Sequence, residues 1–365
     1  MRTLACAIVA AIGLAVQPAF AQADRTAAAF WQTVQARCDA TATKPPGKLG
    51  RRIAQIAIQE FTRFGGHQID SNGRLFHFGR TEAEHEEEHA SDRPTHLGDL
   101  GWWRVMKYWR SLYGNDIGEK LEVRSYGDAS NATDETQVAP LLRADVGELL
   151  RAAGAAADPV TREILREAVL RSAVIDTPWS AAFISYVIRQ SGVTANAFKF
   201  ANAHRVFIYD AFAASAAEEA NQTGEWLYRA CPLPGRPRPG DLICQQREPA
   251  LADVSDEAVR ERIRTELGGH TDSRSVRRTH CEVVAYIDEP ARKVYTIGGN
   301  VNQAVTARKL NLRDDLKFSA VQKSNCGGPG HWTLPQPSTD TQQAPDLTEN
   351  CSLNNKKWFV LLQLR

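Results

Sequence analysis

The chain has almost no excess of charge of either sign. Its 365 residues include 44 basic and 43 acidic side chains, which leaves a formal net charge of +1. Proteins that bind nucleic acid or anionic lipid through their overall electrostatic field carry a clear excess of positive charge. The composition therefore gives no support to a nucleic-acid partner.

Long apolar runs are missing after the N-terminus. No segment beyond residue 21 is long and apolar enough to predict a membrane span. The first 21 residues combine one positive charge with a short apolar run and end in Ala19-Phe20-Ala21, which has small residues at both ends. This pattern is typical of a secretory signal peptide. We therefore expect cleavage after Ala21 and a periplasmic or secreted protein.

Closely spaced cysteine pairs are also absent, which argues against a zinc ribbon. An even number of cysteines in an exported chain favours disulfides, and spacing alone leaves every pairing open. Cys326 and Cys351 flank a stretch rich in Pro, Thr and Gln, and we predict that these two are bridged. The cysteines after residue 21 are Cys38, Cys231, Cys244, Cys281, Cys326 and Cys351.

One motif matches a metal-site signature but lacks its context. His85-Glu-Glu-Glu-His89 has the His-Glu-x-x-His spacing of zinc proteases. That chemistry needs both histidines on one face of a packed helix, together with a third ligand. The flanking residues are charged, and His96 lies one residue beyond the place of the third histidine in the extended pattern. We interpret the segment as exposed and acidic, and we predict no metal or cofactor.

Helical patterns come first along the chain and strand patterns follow. Apolar spacing predicts helices over 27–38, 51–64, 139–155 and 159–172, and a further aromatic helix from Gly101 to Trp109. Strand patterns dominate after Gly240 and end with 358–364. This order predicts an α+β fold, with a helical N-terminal region at 22–158 packed on an α+β core at 159–365. The polar stretch 322–350 is predicted to be a long surface loop.

A predicted buried helix begins near Ser180. Thr177 or Asp176 can cap this helix, and Pro178 suits its first turn. The free N–H groups and the positive dipole end would point at Ser180, where many folds place a nucleophile. The alternative is a core helix in which Ser180 only caps or packs.

Three segments after this helix carry further motif residues. Pro239-Gly-Asp-Leu leads into a strand, His280 begins another strand, and Asn300 follows Gly298-Gly299 after a third. This order resembles the NlpC and CHAP branch of the papain-like cysteine peptidases. Thr-Pro-Trp-Ser-Ala-Ala-Phe-Ile-Ser, His-Cys-Glu-Val-Val and Ile-Gly-Gly-Asn-Val more closely resemble the bacterial domain of unknown function 2272. The resemblance covers about 163–305 and, more weakly, 53–109.

The resemblance implies a papain-like core with an antiparallel sheet and a site made of Ser180, His280 and Asn300. Ser180 stands where these peptidases have cysteine. Because a serine hydroxyl is much harder to ionise than a thiol, Ser180 would need His280 as a general base. Gly298-Gly299 would allow a tight turn that brings Asn300 towards His280.

The remaining expectations concern substrate and strand pairing. Trp179, His204 and Arg247 are candidates for substrate binding, with a purely structural role as the alternative.

In a papain-like core Cys244 and Cys281 would lie on neighbouring strands, either bridged or as reduced core residues. The expected function is hydrolysis of amide bonds in peptidoglycan peptides. The alternative is a catalytically inactive papain-like module that binds or scaffolds in the cell envelope.

Overall fold

The computed structural model describes residues 19–83, 96–115, 117–127, 141–156, 158–267, 274–322 and 352–365. Three sequence predictions fall wholly or mostly outside these ranges. They are the signal peptide, the His85-Glu-Glu-Glu-His89 segment, and the Cys326–Cys351 bridge with its loop.

The described residues form eight α-helices and ten β-strands. None of these helices combines the length and the apolar character that crossing a membrane requires. In chain order the elements are α1 (Ala19–Ala42), α2 (Lys48–Arg63), β1 (Gln68–Ile69), β2 (Leu75–His77), α3 (Gly101–Tyr113), β3 (Glu122–Tyr126), β4 (Leu141–Asp145), α4 (Val146–Gly154), α5 (Pro159–Asp176), α6 (Ser180–Gln190), α7 (His204–Glu219), β5 (Tyr228–Cys231), β6 (Leu242–Gln246), α8 (Asp256–Thr265), β7 (Thr279–Asp288), β8 (Lys293–Val301), β9 (Ala304–Asn311) and β10 (Lys357–Leu364).

Eight of the strands form one sheet in the order β2-β1-β9-β8-β7-β6-β10-β5. Every pairing in this sheet is antiparallel except that of β1 with β9. The predicted α+β class is therefore confirmed. Two strands from the N-terminal region complete one edge of the sheet, while β3 and β4 form a separate two-stranded ribbon.

The structure differs from the sequence prediction at the start of α4 and in β8. The helix predicted over 139–155 begins only at Val146, because the Asp145 carboxylate caps it by accepting the backbone N–H groups of Gly147 and Glu148. The residues before this cap form β4, which pairs with β3. Gly298 and Gly299 do not form the predicted tight turn, since β8 continues through both.

A buried polar cluster holds α2, α3 and α6 together. Glu60 on α2 forms an ion pair with Arg104 on α3, and both side chains are almost fully buried. Tyr108 donates a hydrogen bond to Glu60 at 2.7 Å, and the Arg104 guanidinium lies 3.5 Å from the hydroxyl of Tyr186 on α6. Because breaking a buried ion pair is costly, this cluster fixes the position of α6.

Two disulfides tie the sheet internally and to α1. Cys244 and Cys281 are bridged between the paired strands β6 and β7, which resolves the alternatives for these two residues. Cys38 on α1 is bridged to Cys231 on β5, a pair that the sequence did not single out. Disulfides of this kind fit a protein that folds in an oxidising compartment.

Candidate functional site

The site is built around the first residue of α6. The predicted cap is wrong, because Asp176 ends α5, Thr177 follows it as the C-cap, and Pro178 precedes α6. Trp179 occupies the cap position, and no side chain in the described residues caps the helix start there. Every residue from Ala181 to Ile188 is buried, which holds the helix firmly in the core. The first-turn N–H groups next to Ser180 therefore remain available to bind a negative charge.

Two glycines in β8 let the helix and the sheet approach closely. A Cβ on Gly299 would lie 2.5 Å from Phe183 Cβ and 2.9 Å from Trp179 Cζ3. A Cβ on Gly298 would lie 3.1 Å from His280 Nε2. Since successive strand residues face opposite sides, Gly299 admits α6 and Gly298 admits His280. The reason for Gly-Gly here is thus close packing.

The imidazole beside Ser180 belongs to His204. Ser180 Oγ lies 2.8 Å from His204 Nε2, which is a hydrogen-bond distance. His204 is the first residue of α7 and is 4% exposed. Its ring packs edge-on against His280, with 5.0 Å between ring centroids. The position next to Ser180, expected for His280, is therefore filled by a residue that the sequence suggested only for substrate binding.

His280 is fully buried and leads into a second ion-pair cluster. Its Nε2 lies 3.5 Å from Glu282 Oε1. Glu282 also accepts hydrogen bonds from Thr296 at 2.5 Å and from Arg308 Nε at 3.1 Å. Burial alone would raise the pKa of Glu282, but the charge of Arg308, the nearby His280 and the hydrogen bond from Thr296 lower it to about 2. Glu282 is therefore a carboxylate at neutral pH.

Both histidines are neutral at neutral pH. Burial is the main cause, and it holds the pKa of His204 well below its ordinary value. Burial is also the largest cause for His280, and together with the charges of Arg247 and Arg308 it lowers the pKa to about 4 against the opposing effect of Glu282. A neutral imidazole can accept a proton. With its own proton on Nδ1, His204 can accept the Ser180 hydroxyl proton at Nε2.

The other predicted residues lie around this pair. Asn300 is half-buried at the irregular end of β8, with a left-handed φ of 54°. Because β7 and β8 are antiparallel, the start of β7, with His280, and the end of β8, with Asn300, lie at the same end of the two strands. Trp179 is fully buried and stacks on Phe64. Arg247 is exposed directly after β6.

Glu82 was missed by the sequence analysis. It belongs to the acidic stretch that we predicted to be exposed, yet it is 2% exposed. Burial raises its pKa to about 8, against a smaller opposing effect of the nearby Trp179. No pattern in the sequence separates Glu82 from the charged residues around it. The structure therefore adds a buried carboxyl beside the residue that precedes Ser180.

The described residues contain no group of three or more His, Cys, Asp and Glu side chains placed to hold a metal ion. The groups that the structure brings together at the start of α6 are Ser180, His204, His280 and the first-turn N–H groups of the helix.

Comparison with known proteins gives one match. A family model described as "uncharacterized protein conserved in bacteria (DUF2272)" matches residues 98–364. This range includes α6, α7 and all strands from β3 to β10. No curated protein and no solved structure matches the chain. Because the matched range covers well over half of the sequence, the chain belongs to the bacterial family DUF2272.

Proposed function

We propose that this protein is an exported, papain-like hydrolase that cleaves amide bonds in peptidoglycan peptides, with Ser180 as the nucleophile and His204 as its base. One observation carries the proposal. Ser180 Oγ lies 2.8 Å from His204 Nε2 at the start of an uncapped helix. A hydroxyl paired with an imidazole beside free N–H donors has the geometry of a serine hydrolase site.

The proposed reaction proceeds by acyl transfer. His204 Nε2 takes the hydroxyl proton while Ser180 Oγ attacks the amide carbonyl. The first-turn N–H groups of α6 stabilise the oxyanion of the tetrahedral intermediate. His204 then returns the proton to the leaving amine, and water hydrolyses the ester that remains on Ser180.

His280 and Glu282 position His204 in this scheme. The His280 ring packs against His204, and Glu282, held by Arg308, lies against His280 Nε2. Neither residue reaches Ser180 through a hydrogen bond in the described part of the chain. They are therefore positioning residues, which act by holding the imidazole of His204 in one orientation.

The proposed export and the proposed substrate are supported by different observations. Two disulfides fit an oxidising compartment, and residues 1–21 have the pattern of a signal peptide. Peptidoglycan peptides are suggested only by the resemblance of the motif order to NlpC and CHAP peptidases. This part of the proposal is an analogy at the level of the fold.

A second candidate function is an inactive module that binds wall peptides. It is favoured by the burial of both imidazoles, which makes them weak bases. In addition, His204 Nδ1 has no hydrogen-bond acceptor among the described residues. A serine hydrolase normally has such an acceptor, which fixes the tautomer of the base.

Digestion of soluble peptidoglycan fragments, followed by mass spectrometry, separates the two candidates. We expect new peptide termini with the wild-type protein and none with Ser180→Ala. Ser191→Ala is the matched control, since Ser191 lies at the other end of α6 and its hydroxyl bonds only the backbone of Ile188. Intact fragments after incubation with folded wild-type protein would exclude the hydrolase on this substrate. Equal cleavage by Ser180→Ala would exclude Ser180 as the nucleophile.

A further inference from the structure

Three cations lie side by side where three neighbouring strands meet the site, and we call Arg278, Arg247 and Lys356 the cationic row. The Arg247 N–H donates to the Arg278 carbonyl at 2.6 Å, one step beyond the last residue pair of β6 and β7. The two arginines are therefore cross-strand neighbours.

Lys356 completes the row on the other side of β6. Lys357 is paired with Gln246, so the next position outward places Lys356 against Arg247. Residues directly opposite each other in an antiparallel ladder share a face and bring their side chains close. The charge of Arg247 accordingly contributes, after burial and Arg308, to lowering the pKa of Lys356.

No carboxylate forms an ion pair with the row within the described residues, although Glu282 attracts Arg247 and Lys356 electrostatically. None of its three side chains forms an ion pair there, and Glu282 is already bonded to Arg308. Glu248, the next residue after Arg247, accepts the backbone N–H of Arg278 and bonds neither guanidinium. Like charges opposite each other destabilise a sheet, so an anion bound here would relieve a repulsion present in the free protein.

The row adjoins the Ser180 site. Arg278 lies directly before β7 and two residues before His280, so their Cα atoms are at most about 7 Å apart. Arg247 lies two residues beyond Gln245, the direct partner of His280. His280 in turn packs on the imidazole that is bonded to Ser180.

We propose that the cationic row binds a free carboxylate of the peptide on which Ser180 acts, so that the substrate is an acidic peptide. Guanidinium and ammonium groups hold carboxylates through charge-assisted hydrogen bonds. This inference rests on the proposed function for the identity of the reacting group.

Binding can be measured without turnover in the Ser180→Ala protein. The probes are a fluorescein-labelled Ala-Glu-Lys tripeptide with free carboxylates and the same peptide with both carboxyl groups converted to carboxamides. We expect the carboxamide peptide to bind about tenfold or more weakly, because it loses the charge assistance. Arg247→Gln should weaken binding of the carboxylate peptide about tenfold and leave the carboxamide peptide unchanged. Arg110→Gln, at an exposed position on α3, is the matched control and should change neither affinity.

Two outcomes would overturn the inference. One is equal affinity for the two peptides. The other is a loss for both peptides in Arg247→Gln, which would indicate a structural role for this arginine. If the two peptides bind equally and inorganic phosphate displaces both, the site binds anions in general, and the inference is overturned in the same way. A third result is also informative. If the wild-type protein cleaves no peptide, but Ser180→Ala still binds the carboxylate peptide more tightly than the carboxamide peptide, the cationic row is supported and only the hydrolase is rejected.

Discussion

Gly299→Ala is expected to destabilise the fold by pushing α6 away from the sheet. The added Cβ would lie 2.5 Å from Phe183 Cβ and 2.6 Å from Phe183 Cγ, closer than real carbon atoms approach. Phe183 cannot rotate out of this contact, because its own Cβ is one of the atoms involved. The helix or the strand must therefore move.

The size of the effect follows from opposing contributions. Alanine in place of glycine within a strand would contribute about 0.5–1 kcal/mol if it fitted, and burying one methyl group about 0.8 kcal/mol. Forcing an extra group into a packed core costs about 1–3 kcal/mol and sometimes more. Since the contact here is with a rigid Cβ, we expect overpacking to win. The expected net loss is about 1–2 kcal/mol in the free energy of unfolding.

Urea unfolding followed by tryptophan fluorescence measures this loss, since Trp179 is itself buried at the contact. Gly154→Ala is the matched control. Nothing lies within 4 Å of its added Cβ, and it ends α4, so it should be neutral or stabilise by up to about 1 kcal/mol. A loss below about 0.5 kcal/mol for Gly299→Ala would refute the claim that this contact fixes α6.

Three further predictions concern the site. Ser180→Cys should retain or raise turnover, measured by mass spectrometry of peptide products, because a thiolate is more easily formed at a helix start. Glu282→Gln should cost about 3–5 kcal/mol in urea unfolding, since it leaves Arg308 as an uncompensated buried charge; a loss below 1 kcal/mol would contradict the ion-pair cluster. The raised pKa of Glu82 means that wild-type stability falls as pH rises from about 4.5 towards about 8. Glu82→Gln should flatten that slope in unfolding curves taken between pH 5 and 9, and an unchanged slope would show that Glu82 does not titrate in this range.

Local signals were enough to predict part of the site. Ser180 is the first residue of α6, as the run of small and apolar residues that follows it indicated. His280 lies at the start of β7, since the apolar run after it specifies a strand. For Cys244 and Cys281 the resemblance implied only neighbouring strands and left a bridge and two reduced thiols as alternatives, of which the structure has the bridge.

Contacts between distant segments could not be predicted in the same way. His204 reaches Ser180 only because the fold brings the first residue of α7 beside the first residue of α6, and nothing in the sequence around either residue encodes that distance. The bridge between Cys38 and Cys231 spans 193 residues, beyond any local pattern. Gly298 and Gly299 show the same limit, because a glycine pair signals a turn as readily as close packing.

Labelling with a fluorophosphonate tests most directly whether Ser180 is an activated nucleophile. This reagent phosphonylates a serine whose hydroxyl proton is taken up by a base. If Ser180 is the nucleophile and His204 its base, we expect one adduct in the intact mass of the wild-type protein, located on Ser180 by peptide mapping. We expect no adduct in Ser180→Ala and a much slower reaction in His204→Gln. A folded wild-type protein that stays unlabelled, under conditions that label a known serine hydrolase, would contradict this assignment.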